Sequence, residues 1–301
     1  MSSTKSDQVP YETDTQSDLP KYLRESGLTP ECKQLMSSLP AEKGWVNQFH
    51  QYQGIVFALM NRIRNLPTNH DHPLLSQNPH VLVPFLEVTL YVDGQVPDFT
   101  DFPSPRLFGT HMPHPSLPDS VNNSACKLVY LCRNPSDTLV SLWHFTNRMI
   151  PDGLGKGTVS LEELFDQFIR GVSLCGPYWD HVLGYWKASL ENPERVLFLK
   201  YEELKEQPQV QVSKLAEFLG RPFSSEEEAN GALDGILKLC SFENLSNLEV
   251  NKTGTLASGE DFNNFFRRGE VGDAKNHLSP HMMEKLNQVI QEKLYGYGLK
   301  F

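Results

Sequence analysis

An arginine closes the apolar run Leu128-Val129-Tyr130-Leu131-Cys132-Arg133, and a hydroxyl follows at Ser141. A guanidinium fork offers parallel N–H donors that suit a phosphate or a carboxylate. The run before it is rich in β-formers and reads as a strand buried on both faces. Asn134-Pro135 supplies a helix N-cap followed by a proline at the first helical position. Asp137 adds a negative charge to the first turn, and Leu139, Leu142, Trp143 and Phe145 recur at helical spacing. Arg133 is thus expected at the carboxyl end of a strand, beside a helix N-terminus, where open α/β sheets bind ligands. Two readings of these residues stay open: a phosphate site, or an arginine paired with a structural carboxylate.

A second basic group lies near the end of the chain. Arg267, Arg268, Gly269, Gly272 and Lys275 share one loop, and side chains and backbone amides there could wrap a phosphate. His111 follows an expected short strand, Arg106 to Thr110, and precedes a proline-rich loop. A histidine so placed is a candidate general base, or a plain structural donor. His70 and His72 stand at a metal-like spacing, but no cysteine or carboxylate cluster accompanies them, so no metal site is expected. Gly153, Gly155 and Gly157 do not follow a strand, so the dinucleotide fingerprint fails.

These residues need a frame to position them. The chain has 301 residues, 39% hydrophobic and 21% charged, enough for one large α/β domain or two small ones. Its net charge of −10 argues against a general nucleic-acid or membrane-surface binder, and leaves room for a local basic pocket. The five cysteines are odd in number and form no CxxC pair, which fits a reducing, cytosolic or nuclear setting. The first residues hold no apolar signal region, and no stretch is of membrane-spanning length. Residues 1–20 are polar and read as a disordered tail. A helix is expected over Pro30 to Ser38, and Trp45, Phe49 and Tyr52 form an aromatic stripe of core type. An apolar helix begins at Ile55 and ends on Arg62 and Arg64. Further helices are expected over Leu161 to Gly171, Trp179 to Leu190 and Pro280 to Tyr295. Val196 to Leu199 reads as a second strand, with Tyr201 just past its end and a helix running on to Gly220. Strands that alternate with helices predict an α/β fold with a parallel sheet.

Several stretches together resemble the cytosolic sulfotransferases, in particular the plant soluble ones: LPAEKGW, SPRLFGTH, VYLCRNPSDTLVSLWHF, GPYWDHVLGYW, VLFLKYEELK, LCSFENLSNLEVNK and FFRRGEVGD. The resemblance runs from about Leu39 to Phe301. It implies one domain over residues 21–301, with a central parallel sheet flanked by helices in a P-loop-like fold. It implies the donor 3′-phosphoadenosine 5′-phosphosulfate and a small hydroxylated acceptor, of the flavonoid, steroid, jasmonate or glucosinolate-precursor class. In that family's pattern His111 is the base that takes the acceptor proton. Arg133 and Ser141 hold the 3′-phosphate, and Arg267, Arg268 and Gly269 form a second clamp on it. Tyr201 is an adenosine-side contact. Cys240 falls where many relatives have a threonine near the adenine, and Phe242 follows in the same motif. No metal, nucleic-acid or membrane partner is implied, and a homodimer is compatible with the pattern.

The chain departs from the family at one place above all. The strand followed by PKSGTTW, whose amides and lysine cradle the 5′-phosphosulfate, has no counterpart: Tyr52-Gln53-Gly54 runs straight into Ile55. Ala274 also stands where the family has a tryptophan. A central strand is therefore expected to be missing, with the helix at Ile55 deprived of its first turn. The expected consequence is a very weak or inactive enzyme; the alternatives are a catalytically inactive protein that binds nucleotide or a partner chain, and a chain that does not fold stably.

Overall fold

The computed structural model describes residues 50–87, 104–117, 121, 124–149, 159–173, 177–256 and 259–301. The expected tail, the helix over residues 30–38, Trp45, Phe49 and the glycines at 153, 155 and 157 lie outside the described residues.

Two strands pair in parallel, β1 (Leu128–Cys132) and β2 (Val196–Lys200), with Leu128 opposite Val196 and Cys132 opposite Lys200. Among the described residues they make up the whole sheet. Parallel strands need a long crossover. Among the described residues it holds three helices, α1 (Pro135–Met149), α2 (Leu161–Ile169) and α3 (Tyr178–Glu191). The side chains alternate by strand geometry. Tyr130, Cys132, Val196 and Phe198 join one core with Leu139, Leu142, Phe168 and Trp179 from the crossover. The final helix, α4 (Pro280–Leu294), adds Met282, Leu286, Ile290 and Leu294 to the same core, one per turn or so along one stripe. Leu131, Leu197 and Leu199 face a second core with Tyr52, Ile55, Leu59, Leu215 and Ile236. Both faces of the sheet are thus buried, as the apolar runs predict.

The junction at Gly54-Ile55 differs from expectation. The helix does not begin at Ile55: one helix, αN (His50–Asn61), runs through the junction. The reason is the stripe of Tyr52, Ile55, Ala58 and Leu59, which keeps helical spacing across it and is buried throughout. Gly54 tolerates the close packing, since a Cβ there would already meet Cys240 Sγ at 3.4 Å. At its other end Arg62 is buried and donates to Glu227 Oε1 at 2.6 Å and to the Pro222 carbonyl at 2.8 Å.

Two further expectations are corrected. Arg106 to Thr110 is not a strand; a single parallel bridge joins Gly109 to Phe85, held by Gly109 N–H to the Pro84 carbonyl and Leu86 N–H to the Gly109 carbonyl. Pro105 and Pro113 bracket this stretch, and prolines lack the N–H a ladder needs. The helix expected from Tyr201 to Gly220 is broken into Tyr201–Glu206 and Pro208–Phe218. Gln207 precedes a proline and leaves the helical region, at φ −132° and ψ 60°.

Candidate functional site

Most of the basic and aromatic residues singled out in the sequence meet in one small cavity. Arg133, Tyr201, Phe242, Arg267, Arg268 and Gly269 line a space of about 30 Å³. β1 delivers Arg133 at its carboxyl end, as its position after the apolar run predicts. Its Nη1 donates to Ser141 Oγ at 2.8 Å and its Nη2 to the Glu270 carbonyl at 2.7 Å. Nη2 also lies 3.5 Å from Asp137 Oδ2, and the guanidinium sits 5.0 Å from the centre of the Tyr201 ring. Arg133 thus neighbours a carboxylate of its own helix turn and lines the cavity. Ser141 acts through Arg133.

The C-terminal loop is fixed by two carboxylates. Asp137 accepts from the amides of Gly272, at 2.6 Å, and Ala274, at 2.9 Å. The Gly272 amide is thereby committed to Asp137, and Lys275 does not line the cavity. Asp273 is buried and takes Arg267 Nη1 at 2.5 Å and Arg268 Nη1 at 3.2 Å. Burial works against ionisation of Asp273, but hydrogen bonds from Asn276 and Arg267 and the charges of both arginines outweigh it, and its carboxyl is held well below the usual range. Gly269 has φ 65°, and a Cβ there would lie 2.5 Å from Phe242 Cδ2, so only glycine fits. Its carbonyl accepts from the Tyr201 hydroxyl at 3.0 Å. Even so, Nε of Arg133 and Nε of Arg267 remain buried with no partner. Such orphan donors call for an acceptor-only group such as an oxyanion. Cys240 is placed elsewhere: it is fully buried in the second core against Gly54, where burial raises its thiol pKa far above the ordinary value.

A second, larger cavity of about 240 Å³ runs along β1 from Lys127 to Leu131 and reaches His111. His111 is held firmly. Its Nδ1 lies 2.7 Å from Glu87 Oε1, the same oxygen accepts its backbone N–H, and its ring stacks on Phe85 at 4.3 Å and 1°. Burial raises the Glu87 pKa, but the hydrogen bonds and charge of His111 turn the balance, and the carboxyl is lowered overall. A carboxylate on Nδ1 fixes the proton there and leaves Nε2 as the free lone pair. That Nε2 is buried and has no partner. His181 completes the frame: its Nε2 donates to the His111 carbonyl at 3.0 Å, its Nδ1 faces the Tyr130 hydroxyl at 3.1 Å, and burial above all lowers its pKa to about 4. Phe85 lines this cavity. Trp143 does not; its Nε1 donates to the Val159 carbonyl and its ring packs on His144 and His277.

Sequence reasoning missed Glu87, which sits in a mixed apolar segment and meets His111 only through the fold. It read Asp137 as a helix-end charge and not as the anchor of a distant loop. Among the described residues no group of three or more metal-ligating side chains occurs, and His72 Nδ1 accepts from the Leu74 amide at 3.1 Å. No described helix is long and apolar enough to cross a membrane.

Comparison with known proteins adds to this geometry. Residues 51–298 match the family model described as a sulfotransferase domain. Cytosolic sulfotransferase 5 of Arabidopsis thaliana is 46% identical over 321 aligned residues, which take in 93% of this chain and 99% of that protein. A solved Arabidopsis thaliana structure, provisionally described as a steroid sulphotransferase, superposes with a TM-score of 0.66 at 37% identity, covering 89% of this chain and 94% of its own. A mouse sulfotransferase solved in complex with PAP gives a TM-score of 0.55 at 28% identity, over 65% of this chain and 68% of that one.

Two measurements check the site. In ¹⁵N spectra of the imidazoles, neutral His111 is expected to carry its proton on Nδ1; Glu87→Gln is expected to shift the population toward the other tautomer, and an unchanged spectrum would remove Glu87 as its positioning residue. Asp273→Asn breaks a buried ion pair, which costs on the order of 3–5 kcal/mol at neutral pH. Because the Asp273 carboxyl is depressed in the fold, its stabilisation is present above the unfolded value near 4 and is lost as pH falls through the folded one. Denaturation curves of the two proteins should therefore converge in acid.

Proposed function

The chain belongs to the sulfotransferase family, and from that premise we propose that it binds a 3′-phosphorylated adenosine nucleotide in the arginine pocket and carries out sulfuryl transfer very weakly or not at all. The observation that carries this is the gathering of Arg133, Tyr201, Phe242, Arg267, Arg268 and Gly269 around one cavity with two buried guanidinium donors unpartnered. Arg133, positioned by Ser141, and Arg267, Arg268 and Gly269 would hold the 3′-phosphate; Tyr201 and Phe242 would flank the nucleoside. The mouse relative that contains PAP supports a nucleotide of this kind. The relatives named cytosolic support a cytoplasmic location.

The donor, 3′-phosphoadenosine 5′-phosphosulfate, supplies the sulfuryl group. The hydroxyl oxygen of a small acceptor would attack the sulfur as the sulfur–oxygen bond to the 5′-phosphate breaks. His111 Nε2, with Nδ1 tied to Glu87, is placed to take the hydroxyl proton. The aromatic lining of the larger cavity, with Phe85, Tyr130, Tyr178 and Tyr185, favours a flat apolar acceptor. Charge stabilisation on the leaving phosphate is the weak part. Where the family has a glycine-rich loop and a lysine, this chain has αN running unbroken through Gly54-Ile55. The alignment with the Arabidopsis relative also spans 321 positions while using 93% of 301 residues, so that protein carries residues this chain lacks. Removing one preorganised oxyanion donor typically costs about 100- to 1000-fold in rate. A second reading, a nucleotide- or partner-binding protein without catalysis, is favoured by the same unbroken helix.

Titration calorimetry of the full chain with adenosine 3′,5′-bisphosphate tests the binding half. One site per chain is expected, weakened at least tenfold by Arg133→Ala, the range for a lost hydrogen bond to a charged group. Binding that ignores Arg133→Ala would move the nucleotide away from this pocket.

A further inference from the structure

Tyr52 stands in the wall between the two cavities: it and Leu131 are the residues that line both. It comes from the part of αN before Gly54-Ile55, and its ring packs in the second core with 7% of the residue exposed. Its hydroxyl is buried and has no hydrogen-bond partner. A buried orphan hydroxyl is costly, and such groups persist where they meet something outside the chain. Burial also raises the phenol pKa far above its ordinary value, so the group keeps its proton and remains a donor. On the arginine side, Nε of Arg133 and Nε of Arg267 are orphans of the same kind. The side chains of Arg133 and Arg267 are 10% and 8% exposed. Three side chains that each hold an unpartnered, buried donor therefore line one cavity of about 30 Å³. On the same measure a single water needs only about 10–15 Å³, so the cavity has room for one small polyatomic group.

We propose that Tyr52 closes the arginine pocket toward His111 and donates its hydroxyl to the anion held there, so that the pocket takes one phosphate or sulfate ester group and no second one. This rests on the nucleotide reading given above and narrows it: the nucleotide is recognised through its 3′-phosphate alone, and a nucleoside 3′-phosphate is a complete ligand. The 5′ end contributes little, because the route from the pocket toward His111 is filled by the Tyr52 ring and Leu131.

The test is calorimetry of the full chain with adenosine 3′-phosphate, adenosine 5′-phosphate and adenosine 3′,5′-bisphosphate. The 3′-phosphate and the bisphosphate are expected to bind within threefold of each other, and the 5′-phosphate at least tenfold more weakly. Tyr52→Phe should weaken both 3′-ligands about tenfold. Without ligand, the same variant should melt at or above the wild-type temperature, since it removes an orphan hydroxyl and keeps the ring. A bisphosphate at least tenfold tighter than the 3′-phosphate, a variant that binds like wild type, or one that melts lower would overturn the proposal and leave nucleotide binding standing. Failure of the wild-type chain to bind any of the three would overturn the nucleotide reading as well.

Discussion

The carboxylate of Asp137 holds the site together. It sits in the first turn of α1, right after the strand that ends in Arg133. Its two oxygens take the amides of Gly272 and Ala274 from a loop more than a hundred residues away in the chain. That loop brings Arg267, Arg268 and Gly269 over the end of β1. A charge-assisted pair of amide bonds is strong and directional, and it is desolvated here, since Asp137 is 2% exposed. The bonds from Arg133 Nη2 to the Glu270 carbonyl and from the Tyr201 hydroxyl to the Gly269 carbonyl tie the same loop to the end of each strand. Asp273 then sets the spacing of the two arginines by accepting from both.

What could be read in the sequence was local. β1, the capped start of α1 and the placement of Arg133 follow from a continuous run of β-formers, an N-cap and a proline within one short stretch. The two arginines near the end of the chain stood out by residue type, and the fold brings them into one cavity with Arg133. What stayed hidden depends on the fold closing. Glu87 reaches His111 from a segment with no clear periodicity. Cys240 matches a motif position, yet its side chain turns into the core against Gly54, which only the helix packing decides. The short strand expected before His111 reduces to one bridge because prolines flank it.

The junction at Gly54-Ile55 shows how a fold absorbs a departure from its family's pattern. The apolar stripe of αN keeps its phase from Tyr52 to Leu59, so both halves bury the same face. The sheet keeps its β1–β2 pair and its two cores. Tyr52 and Leu131, side chains that hold no charge, line both the arginine cavity and the cavity that reaches His111. The base side and the anion side are each built with buried, oriented polar groups.

The central claim is that binding and transfer are separated in this chain. The most direct measurement incubates the full-length protein with donor carrying a radiolabelled sulfuryl group and a panel of flavonoid, steroid and hydroxy-acid acceptors, and follows both retained donor and labelled ester. The account predicts donor that binds and stays intact, with ester formed at or below about one hundredth of the rate of an intact family member, as the loss of a preorganised oxyanion donor dictates. Ester formation at the rate of such a relative would contradict it.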